Sequence, residues 1–598
     1  MSRLDLGVIG NGIVAALVDP KGAIVWYCHP RLDGDPIFCR LLEPLAGPEE
    51  GRFAIELEGL ARVERRYLGN SAVLETVLLD REGRGVRITD FAPRFRQYDR
   101  IFRPPMLIRR LEPLGGAPLL RVAIRPLFDH GGTRPQRVPG SNHLRFVAAA
   151  GAIRVTTDLP VAVLEREAPW ALTRPAWLVL GPDESFAAGL DHTCRDFLER
   201  TLDYWSEWTR YLSVPFEWQE AVIRAAVTLK LCAFEETGAI VAALTTSIPE
   251  APGTARTWDY RYCWLRDAFF VVQALNRLGA TRTMEDYLGW IATVVALEPG
   301  RELKPVYAIV PSEPLPERIA PALAGFGGQG PVRIGNQAAE QRQNDSYGSV
   351  VLAAAQMFYD HRLPRRGDLA LFEVLERLGE TAARVALEPD AGLWEYRGRR
   401  SVHTHSAAMC WAACHHLGKI ARHLGLAERA ERWRAEAERI RKAILAEAWR
   451  PELGSFVASF GGKGLDASLL LLHEIGFLST DDPRFAGTVA AIEQRLRKGD
   501  HLLRYDEEDD FGLPETSFNV CTFWYIDALA ALGRREEARA LFERMLAART
   551  SLGLLSEDTD IRTGEPWGNF PQTYSMVGLI TSAMRLSKSW EEAFWRGS

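Results

Sequence analysis

The stretch Asp196-Phe197-Leu198-Glu199-Arg200-Thr201-Leu202-Asp203-Tyr204-Trp205-Ser206-Glu207-Trp208 is where this chain changes period. Phe197, Leu198, Leu202, Trp205 and Trp208 recur at intervals of three and four, and Val222, Ile223, Ala226 and Leu229 take up the same spacing further on. Side chains so spaced share one face of a helix. The first segment reads as a linker helix over 196–215. The second opens a helical domain over 216–598.

Upstream, over residues 1–195, the period is that of strands. The run Ala23-Ile24-Val25-Trp26-Tyr27-Cys28 follows a Pro20-Lys21-Gly22 turn, and Val73 to Leu79 stops at Asp80-Arg81-Glu82-Gly83. Val86 to Phe91 alternates apolar and polar, and runs beginning at Leu107, Leu120, Leu144 and Ile153 continue the series. Short strands about ten residues apart predict an antiparallel β-sandwich. Such a module is expected to brace or shield, since a fold alone does not confer a function.

Downstream, about twelve helical stretches alternate with loops. They lie near 216–236, 267–279, 283–297, 345–362, 367–386, 405–424, 426–448, 465–476, 484–497, 517–533, 535–548 and 571–587. Paired as hairpins they predict a closed toroid, an (α/α)6 barrel, with an open solenoid or a bundle as alternatives. A solenoid should repeat its sequence, and none repeats here. Unusual residues gather instead in unequal loops, as expected if those loops line one mouth.

A chain of 598 residues has room for two or more domains. Its net charge of −6 offers no basic footprint for nucleic acid or an anionic membrane. No long apolar run predicts a membrane span, and no secretory signal is read at the N-terminus. The eight Cys show neither CxxC nor Cys/His metal spacing, so they read as buried thiols of a cytoplasmic protein. Cys410 and Cys414 stand one helical turn apart. Seventeen Trp is a high count and points to aromatic ligand surfaces.

Five loops hold the residues that could do chemistry. The first, Thr257-Trp258-Asp259-Tyr260-Arg261-Tyr262-Cys263-Trp264-Leu265-Arg266-Asp267, sets flat rings among rigid charged groups. Rings cover the C–H faces of a sugar while charged groups fix its hydroxyls. The competing reading is a buried structural Arg–Asp pair at a helix start. The second runs from Pro331 through Asn336 to Gly348, and the third is Gly392-Leu393-Trp394-Glu395-Tyr396-Arg397. The fourth holds Leu503-Arg504-Tyr505 and the acidic run Asp506 to Asp510. The fifth joins Gly553-Leu554-Leu555-Ser556-Glu557-Asp558 to Gly568-Asn569-Phe570-Pro571-Gln572.

Two carboxyls stand out. Glu395 lies between Trp394 and Tyr396, and an apolar surround would raise its pKa, as a general acid requires. Glu557 lies between Ser556 and Asp558, a polar setting in which it should stay ionised and serve as general base. Carboxyls pushed apart in this way can divide the work of glycoside hydrolysis. The acidic run lacks the ligand spacing and glycine of a calcium loop and reads as a solvated loop. His403 and His405 have no evident third partner for a metal.

With these residues in view, the chain resembles glycoside hydrolase family 15, the glucoamylase, glucodextranase and trehalase group. Trp258 to Asp267 is the most specific match, and Ile9-Gly10-Asn11-Gly12 with Ala16 to Trp26 is similar to the module in front of bacterial members. The resemblance implies a β-sandwich before an (α/α)6 barrel, no organic cofactor, and inverting hydrolysis of a terminal α-glucosyl unit. It implies Glu395 as general acid and Glu557 as general base. Arg266 and Asp267 would hold hydroxyls of the non-reducing glucose, Trp264 would lie beside that ring, and Tyr260 near the attacking water. Arg504 and Tyr505 resemble a substrate-clamping loop, and Trp258, Asn336 and Trp394 complete the expected sugar site. With no starch-binding module or secretion signal read in the sequence, the favoured substrate is trehalose. A glucoamylase or isomalto-oligosaccharide hydrolase is the alternative. A phosphorylase would not need Glu557, and a non-catalytic sugar binder could be expected to have lost one of the two Glu.

Overall fold

The structure, a computed structural model, describes residues 3–297 and 302–595. Two antiparallel sheets open the chain. One runs Gly7–Gly10, Ala15–Val18, Ile24–His29, Arg52–Leu57, Leu119–Arg125, Trp170–Ala171, with Asp35–Phe38 paired to Ile24–His29. The other runs Gln136–Pro139, His143–Ala148, Gly151–Thr157, Ala176–Gly181, Leu107–Leu114, Gly85–Phe91, Leu74–Leu79, Arg62–Tyr67. Alternate side chains of each strand turn inward, and Val8, Leu17, Ile55, Ile88, Leu111 and Val155 share one core. Arg109 and Asp90 face each other across adjacent strands within that core. The guanidinium donates to Asp90 at 2.8 Å and to the Phe53 carbonyl of the other sheet at 2.8 Å. Removing either partner would strand a buried charge.

The helix Leu190–Arg210 lies against the outside of the sandwich. Its Cys194 and Leu198 pack with Val73, Phe91, Ile108, Trp177 and Val179. The helices that follow alternate between an outer and an inner ring. The inner ring consists of Leu265–Arg277, Asp345–Ala355, Thr404–His423, the short Leu471–Glu474 with its leading turn Ala467–Leu470, Asn519–Ala531 and Thr573–Leu586. Each packs on the next, and Thr573–Leu586 packs back on Leu265–Arg277, so the ring closes. Asp345–Ala355 is buried along its whole length and Asn519–Ala531 along nearly all of it, as helices walled by neighbours must be. The closed barrel, rather than the open solenoid, is therefore the arrangement adopted.

All five chemistry-bearing loops feed the N-terminal ends of inner helices. The first runs into Leu265, the second into Asp345, the third into Thr404, the fourth into Asn519 and the fifth into Thr573. One end of the barrel collects them for that reason. The sandwich supports this end from the side. Trp26 Nε1 donates to the Leu244 carbonyl at 2.7 Å, and Arg261 donates to the Gly34 carbonyl at 2.7 Å. Arg94 of the sandwich binds Glu235 at 2.7 and 2.8 Å, and Arg103 and Lys230 reach the same carboxylate.

Candidate active site

The first loop divides its residues by alternation. Asp259 and Arg261 turn inward and are fully buried as an ion pair of 2.8 Å. Trp258 and Tyr260, one step out of phase, turn to a cavity at the barrel mouth together with Trp264, Arg266 and Asp267. The stretch thus buries one Arg–Asp pair ahead of the helix and turns its other side chains to the cavity. Arg266 is gripped by Gln343 at 2.9 Å and by Asp345 at 3.4 Å. Asp267 is buried; its Oδ2 accepts no hydrogen bond but lies 3.6 Å from Arg266 Nε, and burial pushes its pKa up to about 7 against the pull of Arg266. Asn336 lines the same cavity, but its side chain is engaged with the backbone of Asp259 and Ala338, so it shapes the loop.

Glu395 stands on the cavity wall in the left-handed backbone region, at φ 62°. A strained backbone of this kind persists where surrounding structure imposes it. Its Oε1 accepts from Trp264 Nε1 at 2.5 Å and from Arg266 at 3.4 Å. The apolar surround expected from its sequence neighbours is not what its carboxylate meets. Trp394 instead donates to Asp466 at 2.6 Å, and Tyr396 stacks on His403. A hydrogen-bonded turn, with the Glu395 N–H donating to the Gly392 carbonyl at 3.1 Å, sets the three side chains at different points of one cavity wall.

Glu557 reverses its expectation as well. It is fully buried, one hydrogen bond behind the wall, where Tyr260 donates to Oε1 at 2.8 Å and the Asn569 N–H to Oε2 at 3.1 Å. Burial, then the neighbouring Asp558 and Glu250, push its pKa well up from the usual carboxylate range. Ser556, read from sequence as polar company, turns to backbone carbonyl oxygen. Asp558 is buried beside it and raised to about 8, chiefly by burial, with Oδ2 unpartnered. Gly568 makes the arrangement possible. A Cβ there would sit 2.7 Å from Glu557 Oε2 and 3.1 Å from Asp558 Oδ2, and its φ of +72° suits glycine.

Arg504 and Tyr505 also reach the cavity. Arg504 is paired with Glu250, which accepts at its other oxygen from Trp258 Nε1 at 2.7 Å. The acidic run is not a solvated loop throughout. Asp509 takes both terminal nitrogens of Arg256 at 2.7 and 2.6 Å, and Asp510 accepts from the N–H groups of Arg397 and Gly398 at 2.6 and 2.8 Å. These partners are more than a hundred residues away in sequence, which is why charge alone misled.

The sequence model of "Glycosyl hydrolases family 15" matches residues 218–584, and that of "Trehalase-like, N-terminal" matches residues 2–151. The chain belongs to glycosyl hydrolases family 15. A trehalase of Mycolicibacterium smegmatis is 33% identical, covering 98% of this chain and 92% of its own length. A trehalase of Thermoplasma volcanium is 31% identical, covering 98% of this chain and 93% of its own. The crystal structure of a bacterial glucoamylase complexed with acarbose superposes with a TM-score of 0.69 at 15% identity, covering 98% of this chain and 94% of that one, and shares the fold.

Within this family 15 site, sequence reading missed Glu250, Arg256, Gln341, Phe511 and Tyr574 as cavity residues. Glu250 and Arg256 sit before the motif in a stretch with no local pattern. Tyr574 lies one residue into an inner helix, where it reads as core. All eight cysteines are buried thiols, and Cys410 and Cys414 do share one inner helix. Among the described residues no helix is long and apolar enough to cross a membrane.

Proposed function

We propose that this glycoside hydrolase cleaves trehalose to two glucose molecules with inversion, using Glu395 as general acid and Glu557 as general base. One observation carries the reading. Glu557, Tyr260, Trp264 and Glu395 form an unbroken series of contacts, 2.8 Å from Tyr260 to Glu557, 5.3 Å between the two rings and 2.5 Å from Trp264 to Glu395. An inverting pair stands about 6.5–9.5 Å apart to admit a water. Two carboxyls spaced by side chains rather than in contact support that geometry.

Glu395 gives its proton to the glycosidic oxygen as the bond to the anomeric carbon breaks. Glu557 takes a proton from a water that attacks the same carbon from the opposite face. Arg266 and Asp267 hold hydroxyls of the glucose being transferred, with Trp264 beside its ring. Tyr260, bonded to Glu557, orients the base. Trp258, Trp394, Arg504 and Tyr505 enclose the second sugar, and Asn336 fixes the loop beneath. The unpaired buried thiols accord with a cytoplasmic setting, and the full-length similarity to trehalases supports the substrate.

The test is glucose release from trehalose, maltose, isomaltose, maltotriose and soluble starch, with and without phosphate. Proton NMR of the first turnovers on trehalose should show one β- and one α-glucose, since only the attacked carbon inverts. Glu557→Gln should reduce turnover by about a hundredfold to ten-thousandfold while sugar binding persists. Near-normal turnover in that variant would remove Glu557 from the role, and activity on the maltose series alone would replace the substrate.

A further inference from the structure

The acidic run of the fourth loop closes one side of the cavity mouth. Asp509, Asp510 and Phe511 all line it. Asp509 and Gly512 exchange backbone hydrogen bonds of 3.1 and 3.2 Å, which makes the tip a tight turn, with Gly512 at φ +93°. The turn is fastened to two other loops. The Asp509–Arg256 pair is buried, and Tyr505 donates to the same carboxylate at 2.5 Å. Asp510 holds the backbone of residues 397 and 398 just after Glu395. Phe511 sets its ring edge against Trp258 at 5.2 Å. On Trp258 the Arg397 guanidinium lies 4.5 Å from the ring centre, and Arg397 is itself paired with Glu317 at 2.8 Å.

Four loops therefore meet around Trp258, each joined to another by charge or ring contact. A sugar chain continuing outward from the second glucose would have to pass between Phe511 and Trp258 or break these ties. We propose that Asp509, Asp510 and Phe511 are specificity-determining residues: they fasten a rim that leaves room for one sugar beyond the scissile bond and thereby restrict the enzyme to disaccharides. The inference rests on the glycosidase reading above but not on which disaccharide is cleaved.

The test compares kcat/KM for trehalose with kcat/KM for trehalose extended by one further α-glucose, in the wild type, Asp510→Ala and Phe511→Ala. Both side chains are exposed at the rim, so the fold does not depend on them. The ratio of extended to plain substrate should rise at least about tenfold in each variant. An unchanged ratio overturns the proposal, and so does a fall on trehalose with no gain on the longer sugar, which would make these residues ordinary sugar contacts. If the wild type leaves trehalose intact, the trehalose reading fails on its own, and the same ratio is read between maltose and maltotriose or isomaltose and isomaltotriose.

Discussion

At the scale of single residues, the unusual feature is a proposed base held without solvent. Glu557 accepts two hydrogen bonds that favour its anion, yet burial and the carboxyls of Asp558 and Glu250 outweigh them. A general base must be ionised, so activity is lost as pH falls through its raised pKa. The acid limb of kcat/KM should therefore lie above the ordinary carboxylate range. Asp558→Asn removes one of the charges that raise it, and the limb should move to lower pH in a pH–rate profile. A limb that stays in place would show that burial and Glu250 set it without Asp558. Residue identity was the most legible part of this site: Trp258, Trp264, Arg266, Glu395 and Arg504 all meet at one cavity. Their electrostatics were not legible. A sequence neighbour such as Trp394 or Ser556 says little about surroundings when the backbone turns sharply between them.

At the scale of elements, periodicity carried far. The strand runs at Leu74–Leu79, Gly85–Phe91 and Gly151–Thr157 appear where alternation placed them. Arg62–Tyr67 was missed because it is an edge strand, whose charged side chains face water and discourage further pairing. The stretch read as helix over 345–362 ends early, at Ala355, and tightens into a turn Gln356–Phe358. Inner helices also carry charges that periodicity cannot price. Asp527 of Asn519–Ala531 accepts from Ser582 of Thr573–Leu586 at 2.8 Å and is largely buried, which raises its pKa to about 6 despite Arg585. The folded chain then binds this proton more tightly than the unfolded one, so stability declines as pH rises from about 4 to about 6. Asp527→Asn removes that decline. Its Tm relative to wild type should be higher at pH 7 than at pH 4, and a difference independent of pH would refute the assignment.

At the scale of the whole molecule, the sandwich and the barrel are joined by charges that neither could bury alone. Burial works against the Glu235 anion, yet Arg94 and Lys230 more than compensate and hold its pKa well below the usual range. Glu235→Gln leaves those cations facing a neutral group, and urea denaturation should show a loss of about 3–5 kcal/mol. No sequence pattern announces such a junction, since Arg94 and Glu235 lie in different period classes and meet only after both parts fold. The fastened rim of the cavity has a consequence of its own. Tyr574, on its wall, is buried and in ring contact with Phe270 at 5.2 Å, whereas Phe511 at the rim is exposed. Departure is then last in, first out. The outer glucose must clear the rim before the inner one can follow, and the inner one, held longest, delays the next arrival.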